Sequence, residues 1–93
     1  MIYFDNNATT QVAPEVVDEM LPYFSEFYGN PSAGYRFARE SRKAIDLARE
    51  RLAALIGADP GEIVFTSCGT ESNNAAIASA LRVFPGRKHL VVS

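Results

Sequence analysis

The sequence has few of the features that mark secreted, disulfide-bonded or membrane proteins. Its 93 residues contain one cysteine, Cys68, which excludes an internal disulfide and favours a reducing compartment. No apolar run approaches the length that crosses a bilayer, and the first residues lack the basic and apolar regions of a signal peptide. We therefore expect a cytoplasmic protein with no membrane partner.

An excess of positive charge is also missing. The net charge is −2, which gives no electrostatic support for a nucleic-acid partner. Basic residues concentrate between residues 36 and 51, but Glu40, Asp46 and Glu50 are interleaved at helical spacing, which indicates a solvated, ion-paired helix face. The single histidine, His89, has no cysteine or carboxylate spaced for a metal site, so no metal site is predicted.

The spacing of apolar residues predicts two helices before residue 60. The first covers residues 14–27, and Pro22 should kink or end it because proline removes a hydrogen bond and crowds the preceding turn. The second runs from about residue 35 to residue 56, with Gly57 placed for a left-handed C-cap. Four aromatic residues of the first helix and the following turn are assigned to packing: Tyr23, Phe24, Phe27 and Tyr28.

The stretch IVFTSCGTESNN, residues 63–74, predicts a short buried strand, a turn of small residues and a helix opened by Thr70. Amides at a helix N-terminus lack partners and carry about half a positive charge, so they can bind a phosphate. Gly69 would let the ligand approach, and Thr70 adds a hydroxyl. Glu71 suits the helix dipole but would repel a phosphate unless its side chain points away. The alternative is that Thr70 is an ordinary N-cap and no ligand binds.

A last apolar run, from His89 to Val92, predicts a second strand. Strand, helix and strand would form a βαβ unit with parallel pairing. Two parallel strands with three helices bury little, and the second strand would be an open edge. We therefore expect the chain to be the N-terminal part of a larger α/β protein. Neither a P-loop nor a dinucleotide-binding fingerprint is present, because the required glycine and lysine spacings are missing.

Four segments, in order, resemble the cysteine desulfurases of the NifS and IscS type in the class-V aminotransferase family. They are YFDNNATT at residues 3–10, YGNPS at 28–32, LIGADPGEIVFTS at 55–67 and VFTSCGTESNN at 64–74. The resemblance covers essentially the whole chain. It implies an α/β fold, the N-terminal portion of a fold-type-I pyridoxal-phosphate-dependent transferase with a mainly parallel sheet in its large domain.

The same resemblance implies two domain assignments and a set of site residues. Residues 1–13 would form an N-terminal arm near the active site, and residues 14–93 the start of the large domain that binds pyridoxal 5'-phosphate (PLP). Gly69 and Thr70 match the positions that hold the cofactor phosphate, and Asn7 and Ala8 are candidates for substrate contact. The family's catalytic lysine, its persulfide-forming cysteine and its other catalytic positions match nothing here, so no catalytic residue is assigned in this chain.

The function that the resemblance implies is PLP-dependent removal of sulfur from L-cysteine, giving L-alanine and an enzyme persulfide. That sulfur would supply iron–sulfur cluster assembly or another acceptor or scaffold protein, and the enzyme would be a homodimer. The 93-residue chain alone should be inactive. Two alternatives stay open: a selenocysteine lyase or related PLP-dependent lyase or aminotransferase, and a non-catalytic binding or dimerisation fragment.

Two positions depart from the family's usual pattern, and a third carries the single thiol. Tyr35 and Ala38 stand where the family usually has a histidine and a glycine, so the roles of that histidine and glycine are not carried over to this chain. Cys68 matches a small structural position of the family. A helix N-terminus could nevertheless lower the pKa of its thiol and make it reactive.

Overall fold

The computed structural model describes residues 2–91, which form helices joined by turns and irregular segments. The helices are α1 (Pro14–Met20), α2 (Pro22–Ser25), α3 (Arg39–Ile56) and α4 (Gly69–Val83), and short 3₁₀ turns lie at Arg36–Ala38 and Pro60–Glu62. The chain divides into two compact units between Pro60 and Gly61. We call residues 2–60 the N-terminal unit and residues 61–91 the C-terminal unit.

The predicted break at Pro22 is confirmed. Pro14 occupies the first turn of α1, where its missing amide costs no hydrogen bond. The helix ends at Met20, and the Leu21 amide still donates to the Val17 carbonyl oxygen at 3.0 Å. Pro22 has no amide with which to continue this pattern, so α2 begins as a separate short helix.

The long helix α3 and its predicted cap are also confirmed. Its first turn is tightened into the 3₁₀ turn at Arg36–Ala38, and Gly57 closes it with φ 69° and ψ 32°, a left-handed conformation that glycine adopts without strain. Three ion pairs lie along the helix, as the interleaved charges predict: Lys43–Glu40 at 2.9 Å, Arg49–Asp46 at 2.9 Å and Arg42–Asp46 at 3.8 Å.

Small residues hold the turn after α2 against the start of α3. A Cβ added to Gly29 would lie 2.9 Å from the Phe37 carbonyl oxygen and 3.0 Å from the Ala38 Cα atom, so only glycine allows this approach. Ala38 is fully buried, and the Ser41 hydroxyl donates to the Phe27 carbonyl oxygen at 2.5 Å. We call these five residues the Gly29 contact. It buries the Ala38 methyl group completely.

The aromatic residues assigned to packing do form two ring contacts. The Tyr23 and Phe27 centroids are 5.8 Å apart, and those of Tyr28 and Phe37 are 4.9 Å apart with the rings edge to face. Phe24 makes neither of these contacts and is 72% exposed. These aromatic residues therefore line the surface of this chain rather than a closed core.

The predicted strands are not formed. Residues 63–66 connect the 3₁₀ turn at Pro60–Glu62 to α4 without strand structure, and the described part of the second predicted strand, residues 89–91, also has none; Val92 lies outside the described residues. A strand exists only when its amides and carbonyls pair with a neighbour, and residues 2–91 contain no strand that could serve as one. Residues 2–91 therefore do not form the predicted parallel βαβ pair.

The described residues bury very little apolar surface. Ala38 and Ala53 are the only buried hydrophobic residues among them, and α4 has no buried residue. Large apolar side chains are instead exposed along the described residues, including Phe4 at 91%, Val64 at 78% and Val91 at 98%. The expected thin core is confirmed, and apolar surface of this extent is typical of a face that other protein covers.

Candidate functional site

Polar side chains, rather than a strand, shape the turn that leads into α4. The Thr66 and Ser72 hydroxyl oxygens lie 2.6 Å apart, and each also contacts the Cys68 carbonyl oxygen, at 3.1 Å and 3.3 Å. These contacts join the segment before the turn to the first turn of the helix. Residues 66–72 are therefore folded locally, by hydrogen bonds that span only six residues.

The helix begins one residue earlier than predicted. Gly69 is its first residue, and Cys68 is the N-cap with extended backbone, φ −167° and ψ 172°. Thr70 is thus the second helical residue, and the reading of Thr70 as an ordinary N-cap is wrong. The Ser72 amide donates to the Cys68 carbonyl oxygen at 3.1 Å. The amides of Gly69 and Thr70 precede that bond and have no intrahelical acceptor.

A side chain at position 69 would have room within residues 2–91. Apart from its chain neighbours and the backbone of its own helix, a Cβ added to Gly69 would meet nothing within 4 Å, and Gly57 is the residue among those described that has positive φ. Neither crowding nor backbone strain within residues 2–91 therefore requires glycine at position 69. Amide donors and a threonine hydroxyl at a helix start fit an anionic oxygen group such as a phosphate ester.

The Glu71 side chain is turned back toward the residue before the N-cap. Its Oε2 atom accepts hydrogen bonds from the Ser67 amide at 2.7 Å and from the Ser67 hydroxyl at 2.6 Å. Both bonds lower the pKa of the Glu71 carboxyl below its ordinary value, and the bond from the Ser67 hydroxyl has the larger effect. The group is therefore ionised at neutral pH. The Glu71 carboxylate is therefore bound to Ser67, the residue before the N-cap.

The Cys68 thiol is exposed and more acidic than an ordinary cysteine. Interaction with the Glu71 amide lowers the pKa of this thiol most, followed by the Ser67 hydroxyl and the Thr70 amide. The Ser67 hydroxyl oxygen is 3.7 Å from the sulfur and 2.6 Å from the Glu71 carboxylate, so its shorter contact is the one to the carboxylate. The predicted direction of the pKa shift is confirmed.

The N-terminal arm forms a closed turn. The Tyr3 hydroxyl lies 2.9 Å from the Asp5 carbonyl oxygen and 3.1 Å from that of Thr9, and the Ala8 amide donates to the Asp5 carbonyl oxygen at 3.1 Å. Asn7 and Ala8 are exposed within this turn. Their contact with substrate stays a prediction, as do the phosphate contacts of Gly69 and Thr70.

The described residues offer neither a metal site nor a membrane-spanning helix. Residues 2–91 contain no group of three or more histidine, cysteine, aspartate or glutamate residues that could hold a metal ion. None of the helices formed by these residues combines the length and the apolar character needed to cross a bilayer.

Comparison with known proteins identifies the family. The family model described as aminotransferase class-V matches residues 2–93. A protein of Trichormus azollae named cysteine desulfurase is 54% identical over 93 residues, covering 100% of this chain and 23% of the relative. Cysteine desulfurase NifS of Azotobacter vinelandii is 47% identical, covering 99% of this chain and 23% of the relative.

A solved structure agrees with the sequence comparison. It is described as a NifS-like protein and superposes on this chain with a TM-score of 0.85. The two are 42% identical in sequence, and the match covers 95% of this chain and 24% of that protein. The chain thus spans about a quarter of the length of the proteins it matches. A family model that matches nearly every residue establishes membership, and the chain belongs to the aminotransferase class-V family.

Proposed function

We propose that this chain is the N-terminal part of a PLP-dependent cysteine desulfurase, which releases L-alanine from L-cysteine and passes the sulfur to an enzyme thiol. The observation that supports this most is 54% identity, over every residue of the chain, to a protein that carries that name. The donor-lined start of α4 is compatible with it, because a helix N-terminus with a threonine hydroxyl can bind the phosphate that the cofactor carries.

Each part of the chain then has a defined task. The Gly69 and Thr70 amides and the Thr70 hydroxyl would hold the cofactor phosphate, and Gly69 would leave room for it. When bound, PLP supplies an electron sink for bonds at the α-carbon of an amino acid. Asn7 and Ala8, exposed in the turn closed by Tyr3, would contact the substrate. The residues that form and break bonds would come from the rest of the protein.

The proposal extends to the assembly. Residues 63–66 would become a strand of a mainly parallel sheet once neighbouring strands are present to pair with them. The exposed apolar side chains of Phe4, Val64 and Val91 would be covered by the remainder of the protein or by the second subunit of a homodimer. The sulfur would pass to an acceptor or scaffold protein, including one that assembles iron–sulfur clusters. The exposed free thiol of Cys68 suits the reducing cytoplasm.

The test is an assay of the complete protein. With PLP and L-cysteine under reducing conditions, we expect alanine and sulfide in equal amounts, and no product from the 93-residue chain alone. Selenocysteine, supplied at the same concentration, measures the competing activity through the ratio of the two kcat/KM values. Failure to form alanine from cysteine, or transfer of the amino group instead of sulfur release, would contradict the proposal.

A further inference from the structure

The proposed phosphate site has a carboxylate in the same helical turn. Glu71 is the third residue of α4, directly after the two residues whose amides would hold the anion. Its pKa is lowered, so it carries a negative charge at neutral pH. Charge alone would make this residue a liability for phosphate binding, because like charges at short range repel.

The geometry indicates a different role. One oxygen of Glu71 accepts two short hydrogen bonds from Ser67, at 2.7 Å from the amide and 2.6 Å from the hydroxyl. Hydrogen bonds to an ionised acceptor are about twice as strong as those between neutral groups. They join the two ends of the segment Cys68–Thr70. A second join, between the Thr66 and Ser72 hydroxyls at 2.6 Å, lies just outside the first.

We propose that Glu71 is a positioning residue for the phosphate site, and that it acts through Ser67. The ionised carboxylate, fixed by the two Ser67 donors, holds residues 68–70 in the conformation that presents the Gly69 and Thr70 amides to one side of the helix start. The same two bonds direct the charge toward Ser67. This inference rests on the proposed function, since it assumes a phosphate at Gly69 and Thr70.

Positioning and repulsion predict opposite signs for one substitution. Glu71→Gln keeps the size of the side chain and removes its charge. If repulsion dominates, this variant binds PLP more tightly than the natural protein. If positioning dominates, it binds PLP more weakly, because an amide oxygen is a poorer acceptor for both Ser67 donors. Glu71→Ala removes the acceptor, and we expect it to raise the PLP dissociation constant about tenfold.

The experiment is a double-mutant cycle on the complete protein. Each variant is freed of PLP and then titrated with it. Cofactor fluorescence and the ³¹P signal of the bound phosphate measure the binding. The variants are Ser67→Ala, Glu71→Ala and the pair. Ser67→Ala removes one donor and keeps the amide, so its effect should be smaller than that of Glu71→Ala. The double variant should lose less than the two single losses combined, because the residues act through each other.

Controls separate positioning from general stability. Glu15→Gln makes the same change in the first turn of α1 and should leave PLP affinity unchanged. Thermal unfolding of the cofactor-free proteins reports structural damage, and the loss of PLP affinity should be larger than the small change in stability explains. If Glu71→Ala does not fold, Glu71→Gln and Ser67→Ala decide the question.

The outcomes are distinct. Weaker PLP binding by Glu71→Gln, with coupling to Ser67, supports the inference. PLP binding by Glu71→Gln that is equal to or tighter than that of the natural protein overturns it, and so do additive losses in the cycle. Thr70→Ala, run in the same titration, tests the site itself. If Thr70→Ala has no effect, the phosphate site and this inference both fail; if it weakens binding while Glu71→Gln does not, only this inference fails.

Discussion

The two units of the chain are held in different ways. In the N-terminal unit, residues distant in sequence meet: Gly29 approaches Phe37 and Ala38, and the Ser41 hydroxyl reaches Phe27 fourteen positions away. In the C-terminal unit no described residue is buried, and the hydrogen bonds that shape the start of α4 span two to six residues. The N-terminal unit therefore has tertiary structure of its own, and the C-terminal unit has mainly local structure.

This difference has a consequence for function. The candidate phosphate site is placed in the unit with less packing, where the polar side chains of Thr66, Ser67, Glu71 and Ser72 take the part that burial takes elsewhere. Local hydrogen bonds can set the conformation of a turn without a core, although they add little to the stability of the whole protein. Substitutions in the two units should therefore affect different measurements.

The largest effect on stability should come from Gly29→Ala. The added Cβ would lie 2.9 Å from the Phe37 carbonyl oxygen, so backbone must move, and overpacking of this kind costs about 1 to 3 kcal/mol. Urea unfolding of the complete protein measures the loss. Gly34→Ala is the matched control, since a Cβ there meets nothing within 4 Å. Equal losses of stability from both substitutions would contradict the claim that the close approach at Gly29 requires glycine.

A smaller effect is expected from Ser41→Ala. This change leaves the part-buried Phe27 carbonyl oxygen without the hydroxyl that donates to it at 2.5 Å, which costs about 1 kcal/mol. Ser79→Ala makes the same replacement at an exposed position of α4 and should be neutral or slightly stabilising, because alanine favours helix. If Ser79→Ala destabilises as much as Ser41→Ala, the contrast between the two units is wrong.

The ion pairs of α3 should contribute less than the Gly29 contact. Asp46→Asn removes partners from Arg49, at 2.9 Å, and Arg42, at 3.8 Å. Asp46 and Arg42 are exposed and Arg49 is half-buried, so the loss should stay below about 1 kcal/mol. Repeating the urea unfolding in about 1 M salt should erase the difference from the natural protein, because salt screens exposed charges. Asp18→Asn on α1 is the control for the same change of residue. A difference between Asp46→Asn and the natural protein that persists in high salt would indicate packing instead of ion pairing.

The smallest effect on stability should be the pH dependence of the Glu71 contact. Because the pKa of this carboxyl is lowered in the folded protein, its contribution is present above the pKa of the unfolded chain and is lost as pH falls through the folded value. The stability difference between the natural protein and Glu71→Gln should therefore close in the acid range, below the ordinary pKa of a glutamate. A difference that is the same at neutral and acid pH would contradict this assignment.

Features determined by single residues could be predicted from the sequence. Pro22 divides the first helix because it has no amide, and Gly57 ends α3 because it adopts positive φ, so both boundaries follow from the residue type. Strand structure at residues 63–66 could not be obtained in this chain, because pairing depends on other strands. An apolar run predicts that a segment can pair, not that a partner is present.

The site shows the same limit on a smaller scale. The small residues at 66–69 and the helix after them could be predicted, but the start of the helix was placed at Thr70 rather than Gly69. The Ser67–Glu71 contact was missed because the usual capping pattern places the acidic residue three positions after the serine, whereas here the spacing is four. A search for serine and glutamate at that wider spacing before a helix would have found it.

The central claim is that the start of α4 holds the cofactor phosphate. Its most direct test is PLP titration of the complete protein carrying Thr70→Ala. Thr70→Ser, which keeps the hydroxyl, is the control. We predict that Thr70→Ala weakens PLP binding by about 1 to 3 kcal/mol, the range for losing a hydrogen bond to a charged group, and that Thr70→Ser binds nearly as the natural protein does. Unchanged affinity in Thr70→Ala would contradict the claim.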